Sequence, residues 1–510
     1  METQIKNNAN VHLDLDTSII TFTDPKGNKF DWSLRQSFEG TSIMGSLGSG
    51  KTSGSGRLLA SKFLSRGYGG LVLCVKPTEK DLWLEYCRAA NRLHDLIIVE
   101  PGGEHAFDFL AYESSNRGDF VAPTENVAHV LDTVIRAGEE KQGGRSDDPF
   151  WQSALAMLIS STIDLCRLAY GRVSVQDMFD IVMTIPKPEK ADDDDSAPLA
   201  FKEAFTLAQR RINDQINTLA ETFTTEEKYL LTTGNRRFYF EKVFPAVPEA
   251  RIFSLVDQFF IETYRSLSDK TRSIIDFSFA GFLFRLLKDP IYSLFCSQPS
   301  TFTPEDTLDG KIILLNLPVK IYGKAGRDCQ LMFKYIWQRA MERRNIAENG
   351  RPVFLFVDEA QQFLHEYDAE YQATARSSRI ATVYISQNLP NYYANMGGAK
   401  SDYRMKALLG TLGTKIFHAN SDVDTNRYAS ELIGDAYSED VSRNVTFAGQ
   451  FQAGQNTALR LERMVRPEEF VALKNGGPLN DFQVEGYVHM QSRTFPSGES
   501  FEKITFLQKP

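Results

Sequence analysis

The chain has 510 residues, which is more than one ordinary hydrophobic core supports, so two or three domains are expected. Its 42% hydrophobic and 24% charged residues are typical of a globular protein and exclude bulk disorder. The formal net charge of −9 excludes a surface coated for non-specific nucleic-acid binding, but it leaves room for a local basic channel.

The cysteines and the apolar runs indicate the cellular compartment of the protein. The five cysteines are scattered and form no C-x-x-C pair, which argues against a disulfide framework or a zinc site and fits a reducing cytoplasm. The N-terminus has no signal-peptide pattern. The most apolar run, Trp151–Tyr170, contains Asp164 and Arg167, so we predict a buried helix there and no transmembrane segment in the chain.

The N-terminal segment predicts a β-hairpin. Residues 12–33 alternate apolar and polar side chains around the turn sequence Asp24–Asn28. From residue 41 the pattern changes to short continuous apolar runs separated by helix-like stretches such as 328–345. Runs of this kind suit strands buried on both faces of a parallel sheet, so we predict a doubly wound α/β core. The runs are 41–45, 70–75, 96–100, 311–317, 353–357, 382–386 and 414–418.

The middle of the chain differs from both ends. Residues 121–300 have helical spacing, clearest at 150–169 and 273–289, and an acidic segment at 191–196 predicts an exposed loop. We therefore expect three parts. Residues 1–40 elaborate the nucleotide domain, 41–120 and 301–510 form that α/β domain, and 121–300 form an inserted all-α domain. A last hairpin is predicted at 492–507.

A phosphate-binding loop follows the first core strand. Its sequence matches G-x-x-x-x-G-K-[ST], in the strand-to-helix context that this motif requires. Backbone N–H groups of such a loop surround phosphates, the lysine reaches the β- and γ-phosphates, and the hydroxyl ligates Mg²⁺. The motif predicts binding of ATP and Mg²⁺ by Gly45, Ser46, Leu47, Gly48, Ser49, Gly50, Lys51 and Thr52.

A second nucleotide motif ends the run at 353–357. Asp358 follows the strand and is placed to hold Mg²⁺ through water, and Glu359 is placed to polarise the attacking water. The next strand ends at Gln387, a candidate sensor of the γ-phosphate, with a turn or capping residue as the alternative. Arg376 and Arg379 precede that strand. Either could act on the nucleotide of a neighbouring subunit, and a solvated helix face is the alternative.

These segments together resemble the type IV secretion coupling ATPases, the TraG/TraD-like branch of the HerA/FtsK superfamily. The resemblance covers most of residues 40–435 and is most specific in its last three segments. It is carried by GSLGSGKT (45–52), VLCVKPTEKDLW (72–83), FDFLAYE (107–113), DDPFW (147–151), SDKTRSII (268–275), PVFLFVDEAQQF (352–363), ARSSRIATVYISQNLPNYY (375–393) and residues 410–434.

The resemblance implies a hexameric ATPase with a RecA-like domain, an inserted all-α domain and DNA in a central pore. It further implies delivery of DNA and of relaxase or effector proteins to secretion-channel subunits. It gives Lys51, Thr52, Asp358 and Glu359 the roles stated above and makes Gln387 the sensor. Arg376, eleven residues before Gln387, matches the family's trans-acting arginine better than Arg379 does.

Two departures from the family pattern stand out. Many relatives begin with a transmembrane anchor, so a cytoplasmic chain without one would reach the inner membrane through a partner. Where many relatives have a D-P-K-G-like segment, this chain has Val75-Lys76-Pro77-Thr78 and so lacks the aspartate.

The cargo is left open by the sequence. DNA contacts are sought in residues 235–242, which interleave basic and aromatic side chains, and in 268–273, with solvated surface loops as the alternative. Three functions are compatible with the residues. They are a DNA translocase coupled to secretion, a soluble HerA/FtsK-type DNA-processing or packaging motor, and an ATP-dependent receptor that docks substrates.

Overall fold

The chain folds around one large sheet, accompanied by two separate hairpins. The computed structural model describes residues 14–24, 26–115, 123–140, 149–186, 199–396, 401–447 and 451–508; the acidic segment 191–196 lies outside this part of the chain. The strands are β1 Ser18–Thr23, β2 Lys29–Ser33, β3 Thr41–Met44, β4 Gly69–Leu73, β5 Leu96–Val99, β6 Ile312–Leu315, β7 Val353–Val357, β8 Ile380–Ser386, β9 Thr414–His418, β10 Asp435–Phe447, β11 Phe451–Arg463, β12 Gln483–Met490 and β13 Phe501–Leu507.

Helices connect the sheet strands and form most of the middle of the chain. They are α1 Leu34–Ser37, α2 Arg57–Ser65, α3 Glu79–Ala89, α4 Phe109–Ser114, α5 Pro123–Glu140, α6 Pro149–Tyr170, α7 Val175–Met183, α8 Ala200–Ala220, α9 Thr225–Thr232, α10 Arg236–Phe238, α11 Phe244–Ala246, α12 Pro248–Gln258, α13 Tyr264–Ser266, α14 Asp269–Leu286, α15 Val319–Arg343, α16 Asp368–Ala375, α17 Leu389–Met396, α18 Ser401–Thr411 and α19 Val423–Ile433.

The large sheet has nine strands in the order β13-β12-β9-β3-β8-β7-β4-β6-β5. The six strands from β9 to β6 in this order run parallel to one another, and β12 and β13 are antiparallel. All seven predicted runs form strands, and every residue of β3, β4, β7, β8 and β9 is buried. The predicted α/β class with a parallel-rich sheet is therefore confirmed.

The strand order decides where the functional segments meet. Strand β8 lies between β3 and β7, so the segments that follow these three strands emerge side by side at one edge of the sheet. Strand β4 lies on the other side of β7, with Leu73 paired to Val357. In parallel sheets this carboxyl edge is where ligands bind.

The N-terminal hairpin forms where it was predicted, whereas the last hairpin begins earlier in the chain. The predicted N-terminal hairpin forms from β1 and β2. At the other end β13 pairs with β12, so the first strand of the last hairpin lies earlier than predicted and residues 491–500 form its connection. The ribbon of β10 and β11 was not predicted; its two strands pair with each other from Asp435–Arg463 to Phe447–Phe451.

The chain divides into two compact units. The first comprises Met1–Ile97, Glu305–Asn316 and Gln338–Pro510, and it contains the strands that meet at the carboxyl edge described above. The second comprises Ile98–Pro304 and Leu317–Trp337. Between residues 109 and 297, the described part of the second unit is helical.

Helix α6 is the one helix in the described residues that is long and apolar enough to cross a membrane, by length and composition only. Over Phe150–Tyr170, 56% of its most apolar window is buried in the protein. Its two charged residues are engaged, since Arg167 donates to Thr124 and Thr124 donates to Asp164, both at 2.7 Å. This packing fits the prediction of a buried core helix.

Candidate functional site

The predicted phosphate loop joins β3 to a helix, as its motif requires. Gly48 and Gly50 have φ values of 75° and 80°, which glycine adopts at little cost. A Cβ at Gly50 would lie only 2.4 Å from Val484 Cγ2, and a Cβ at Gly45 would lie 2.4 Å from Ser49 Oγ. The loop therefore needs glycine both for its backbone path and for close packing.

The helix after the loop starts with an unusual turn. Thr52–Gly56 form a π-helical turn before α2, where the glycine-rich sequence weakens α-helix propensity. A Cβ at Gly54 would lie 3.3 Å from Val484 and 3.4 Å from Phe506 of the last hairpin. Gln508 also donates a 2.6 Å hydrogen bond to the Ser53 hydroxyl. The last hairpin thus packs against the start of this helix. This close packing explains why glycine occupies position 54, which the sequence alone did not explain.

Lys51 lies beside the acidic pair that ends β7. Counting backbone and side chain together, Lys51 is 5% exposed, Asp358 6% and Glu359 5%, so all three residues are buried. Burial lowers the pKa of Lys51, and the negative charges of Asp358 and Glu359 oppose this shift. The Thr52 hydroxyl donates a 2.9 Å hydrogen bond to Asp358 Oδ2. The structure therefore brings the two predicted nucleotide motifs together.

Glu359 is held by several donors. Its Oε1 accepts hydrogen bonds from Lys76 Nζ and from Gln387 Nε2, each at 3.2 Å, and its Oε2 accepts from Gln361 Nε2 at 2.8 Å. Burial raises the pKa of Glu359, but hydrogen bonds from Gln361 and Gln387 and the charge of Lys76 outweigh it and hold the pKa below its usual value. Its backbone has φ 52°, a left-handed conformation that is uncommon outside glycine.

Gln387 lies where the sequence placed it, at the tip of β8 between the other two strands. Besides its bond to Glu359, its carbonyl oxygen accepts a 3.0 Å hydrogen bond from Asn420 Nδ2. Asn420 Oδ1 in turn accepts from the Ser46 hydroxyl of the phosphate loop at 2.9 Å. Gln387 is therefore connected to both nucleotide motifs.

Several residues at the carboxyl edge of the large sheet were not predicted from the sequence. The Ser55 hydroxyl lies 2.7 Å from His418 Nε2, and the other ring nitrogen lies 2.8 Å from the Glu485 carbonyl oxygen. Burial lowers the pKa of His418 to about 4, so its ring is neutral near pH 7, donates to Glu485 and accepts from Ser55. Neither His418 nor Gln361 has a motif of its own; only the ends of neighbouring strands could have pointed to them.

Lys76 is a charged residue of this edge that was not predicted from the sequence. Its ammonium lies 3.2 Å from Glu359 Oε1 and 3.9 Å from Asp358 Oδ2. The turn that carries it is fixed by Glu79, whose Oε2 accepts from the backbone N–H groups of Val75 at 2.7 Å and of Lys76 at 3.2 Å. The segment that departs from the family pattern thus contributes a cation to the site.

The two candidate arginines lie before β8, at the opposite edge of the sheet from Gln387. Seven residues of strand separate these edges, about 23 Å at the usual rise. Arg376 is 56% exposed, and its guanidinium lies 3.7 Å from Glu39. Arg379 has φ 50° and donates a 2.8 Å hydrogen bond to the Gly350 carbonyl oxygen. Arg376 therefore keeps more than half of its side chain exposed despite its ion pair with Glu39, whereas Arg379 is hydrogen-bonded to the backbone of its own chain.

The two basic segments considered for DNA are partly neutralised. In the first, Arg237 pairs with Glu241 at 2.8 Å and Lys242 lies 3.5 Å from Glu227. In the second, Arg272 is buried and pairs with Asp269. These pairings reduce the net positive charge that either segment can offer to a phosphate backbone.

The oxygen donors of the site fit a magnesium–nucleotide complex. Mg²⁺ prefers oxygen ligands and usually takes one or two from protein, with the rest from water and phosphates. Thr52 and Asp358 place two such oxygens side by side, and the described residues contain no cluster of three or more His, Cys, Asp or Glu that would hold a metal alone. The Ser49 hydroxyl is buried in the loop without a hydrogen-bond partner among the described residues.

Comparison with known proteins supports the resemblance. Residues 352–475 match the family described as the TraM recognition site of TraD and TraG. No curated protein matches the chain in sequence at a significant level.

Solved structures give the fold. The chain is similar to the unbound monoclinic form of the bacterial conjugative coupling protein TrwBdeltaN70, with TM-score 0.60, 14% identity, and coverage of 98% of this chain and 90% of that one. It is also similar to TrwB with the non-hydrolysable ATP analogue ADPNP (TM-score 0.59, 14% identity, 98% and 91% covered) and to TrwB with ADP and Mg²⁺ (0.58, 14%, 94% and 87%). The predicted fold class is confirmed by these likenesses.

Proposed function

We propose that this chain is an ATP-driven coupling protein of the TraG/TraD type, which delivers DNA or relaxase-bound DNA to a conjugative type IV secretion apparatus. The observation that carries the proposal is the meeting of Lys51 and Thr52 with Asp358, Glu359 and Gln387 at one edge of a parallel sheet. The family match over residues 352–475 and the likeness to TrwB support the coupling role.

ATP is bound in this proposal by the phosphate loop. The backbone N–H groups of residues 45–52 surround the phosphates, and Lys51 contacts the β- and γ-phosphates. Thr52 and Asp358 would hold Mg²⁺, Asp358 through water, and the ion when bound would supply positive charge beside the phosphates.

Glu359 acts on the attacking water. Its ionised carboxylate accepts a hydrogen bond from a water molecule and orients it toward the γ-phosphorus, while Gln387, already bonded to Glu359, reports on the γ-phosphate. The water oxygen forms the new bond to the γ-phosphorus and its proton passes to Glu359, which later releases it to solvent. The bond between the γ-phosphorus and the bridging oxygen breaks, that oxygen stays with ADP, and ADP and inorganic phosphate leave.

A neighbouring subunit completes the site. Arg376 lies at the far edge of its own sheet with an exposed guanidinium, so we infer that it acts on the nucleotide of an adjacent copy in a hexamer. DNA then passes through the central pore of the ring. The nucleotide domain is formed by 41–120 and 301–510 with the N-terminal elaboration 1–40, and residues 121–300 form the inserted helical domain.

Partners and location follow from the coupling role. The match of residues 352–475 to a TraM recognition site supports contact with the DNA-processing complex and its relaxase. Secretion-channel subunits and effector proteins are the further partners. The chain would work on the cytoplasmic side of the inner membrane and be recruited there by a partner.

The test is an ATPase assay of the full chain with no DNA, with single-stranded DNA and with double-stranded DNA, with particle mass recorded for each. Stimulation by DNA together with a particle about six times the monomer mass supports a ring translocase. Stimulation without a stable complex with membrane secretion subunits favours a soluble motor. Substrate docking that persists in Lys51→Ala, without stimulation by DNA, favours a receptor.

A further inference from the structure

Lys76 is brought to the acidic pair by the strand order. Its turn, Val75–Thr78, follows β4, which pairs in parallel register with β7 up to Leu73 and Val357. Residues that follow two paired parallel strands emerge together, so Lys76 and Glu359 become neighbours despite their separation in sequence.

The ammonium of Lys76 compensates two buried negative charges. The side chains of Asp358 and Glu359 are only 8% and 6% exposed, whereas that of Lys76 is 32% exposed. Buried carboxylates are usually paired with cations or hydrogen-bond donors. Besides Lys51 of the phosphate loop, Lys76 supplies such a cation from within the chain, at 3.2 Å from Glu359 and 3.9 Å from Asp358.

Glu79 holds the turn through hydrogen bonds and does not form an ion pair with the ammonium of Lys76. Its Oε2 accepts both turn N–H groups, and its Oε1 is buried without a hydrogen-bond partner among the described residues. Burial, together with the nearby charge of Asp358, raises the pKa of Glu79 to about 8. Glu79 is therefore mostly protonated near pH 7, and the ammonium of Lys76 is directed to the acidic pair.

The hydrogen bonds to Glu359 determine how its carboxylate is oriented. An ionised carboxylate offers about four acceptor positions. Among the described residues, Lys76, Gln387 and Gln361 are the three donors to Glu359, and Gln387 Nε2 lies within hydrogen-bond distance of both oxygens, at 3.2 Å and 3.4 Å, which fixes the plane of the carboxylate. An attacking water would be a further donor to this fixed carboxylate.

We propose that Lys76 is a positioning residue for ATP hydrolysis, whose ammonium group orients the Glu359 carboxylate toward the attacking water. This role rests on the proposed ATPase function. It separates Lys76 from Lys51, whose place in the phosphate loop assigns it to nucleotide binding.

The experiment compares full-length Lys76→Met with wild type and with Lys406→Met, which removes an exposed lysine of α18. Steady-state ATPase gives kcat and KM, and a fluorescent non-hydrolysable ATP analogue gives Kd. We expect kcat to fall about 10- to 100-fold, a share of what general base catalysis contributes. Kd should change less than about threefold, because the nucleotide-binding groups stay in place. Lys76→Arg should recover most of the rate.

Other results would overturn the role. A Lys76→Met chain that keeps wild-type kcat, or a Lys76→Arg chain that is as slow as Lys76→Met, removes the role while the proposed function stands. A loss of analogue affinity equal to the loss of rate would make Lys76 a phosphate-binding residue instead. If Lys76→Met does not fold, Lys76→Gln, which keeps one donor without charge, takes its place with the same criteria. A wild-type chain without ATPase activity would overturn the proposed function and this role with it.

Discussion

Thr52 donates a 2.9 Å hydrogen bond to the carboxylate of Asp358, 306 residues later in the chain. The bond joins the first residue after the phosphate-loop lysine to the first residue after β7. Both residues follow strands whose carboxyl ends lie at the same edge of the sheet, on either side of β8. A metal ion bound with nucleotide would lie close to both oxygens, so this pair marks the centre of the proposed active site.

Lys51→Ala is expected to abolish nucleotide binding and turnover, with ATPase activity reduced at least about 100-fold because a buried cation aimed at the phosphates is lost. Binding of a fluorescent ATP analogue measures the first effect and phosphate release the second. Lys62→Ala, in the following helix α2, is the matched control and should behave as wild type. Retained analogue affinity in Lys51→Ala would contradict the assigned phosphate contact.

Glu359→Gln should bind ATP with near wild-type affinity and cleave it about 10² to 10⁴ times more slowly, because the amide cannot accept a proton from water. The change keeps the size of the side chain, so the left-handed backbone at this position is not additionally strained. Single-turnover cleavage of labelled ATP separates hydrolysis from product release. A variant that cleaves at the wild-type rate would remove Glu359 from the proposed mechanism.

Arg376→Ala should lose ATPase activity and regain part of it when mixed with Glu359→Gln subunits. In a mixed ring, some sites combine an intact Glu359 from one subunit with an intact Arg376 from its neighbour. The comparison is Arg379→Ala, whose guanidinium is bonded to Gly350 within its own subunit, and which should gain nothing from mixing. Activity that stays at the sum of the separate variants at every mixing ratio would argue against a shared site.

Glu79→Gln should stabilise the protein in a pH-dependent way. The folded pKa of Glu79, about 8, lies above its usual value of 4.5, so the folded chain holds a proton that the unfolded chain releases. Wild type therefore loses stability as pH rises from about 4.5 to about 8, at about 1.4 kcal/mol per pKa unit at most.

The glutamine of Glu79→Gln carries no ionisable proton and keeps an oxygen acceptor for the turn N–H groups. Its thermal midpoint should therefore exceed that of wild type by more at pH 8.5 than at pH 5. Glu85→Gln, an exposed position on the same helix α3, should show no such pH dependence. An equal difference at both pH values would mean that Glu79 is ionised in the folded chain.

The strands and the two nucleotide motifs could be predicted because their signals are local. A continuous apolar run such as 353–357 reports burial on both faces, and the loop ending in Lys51 and Thr52 is specific over eight residues. Gln387 was found by the same reasoning, since it follows an apolar run at its carboxyl end.

The contacts of Lys76 and His418 could not be predicted, because they depend on strand order and not on spacing along the chain. Nothing in Val75–Thr78 indicates that β4 will lie beside β7, or that Glu79 will hold the turn. The last hairpin was misplaced for a related reason. Strand β12 pairs with β9 as well as with β13, so its partner in the sheet is distant in sequence.

The cover that Val484, Phe506 and Gln508 form over the glycines of the phosphate loop has a consequence for biosynthesis. The loop is translated more than 400 residues before the strands that pack against it. A nascent chain therefore exposes an uncovered phosphate loop until β12 and β13 have been synthesised, and full nucleotide affinity should develop only after these strands have folded onto the loop.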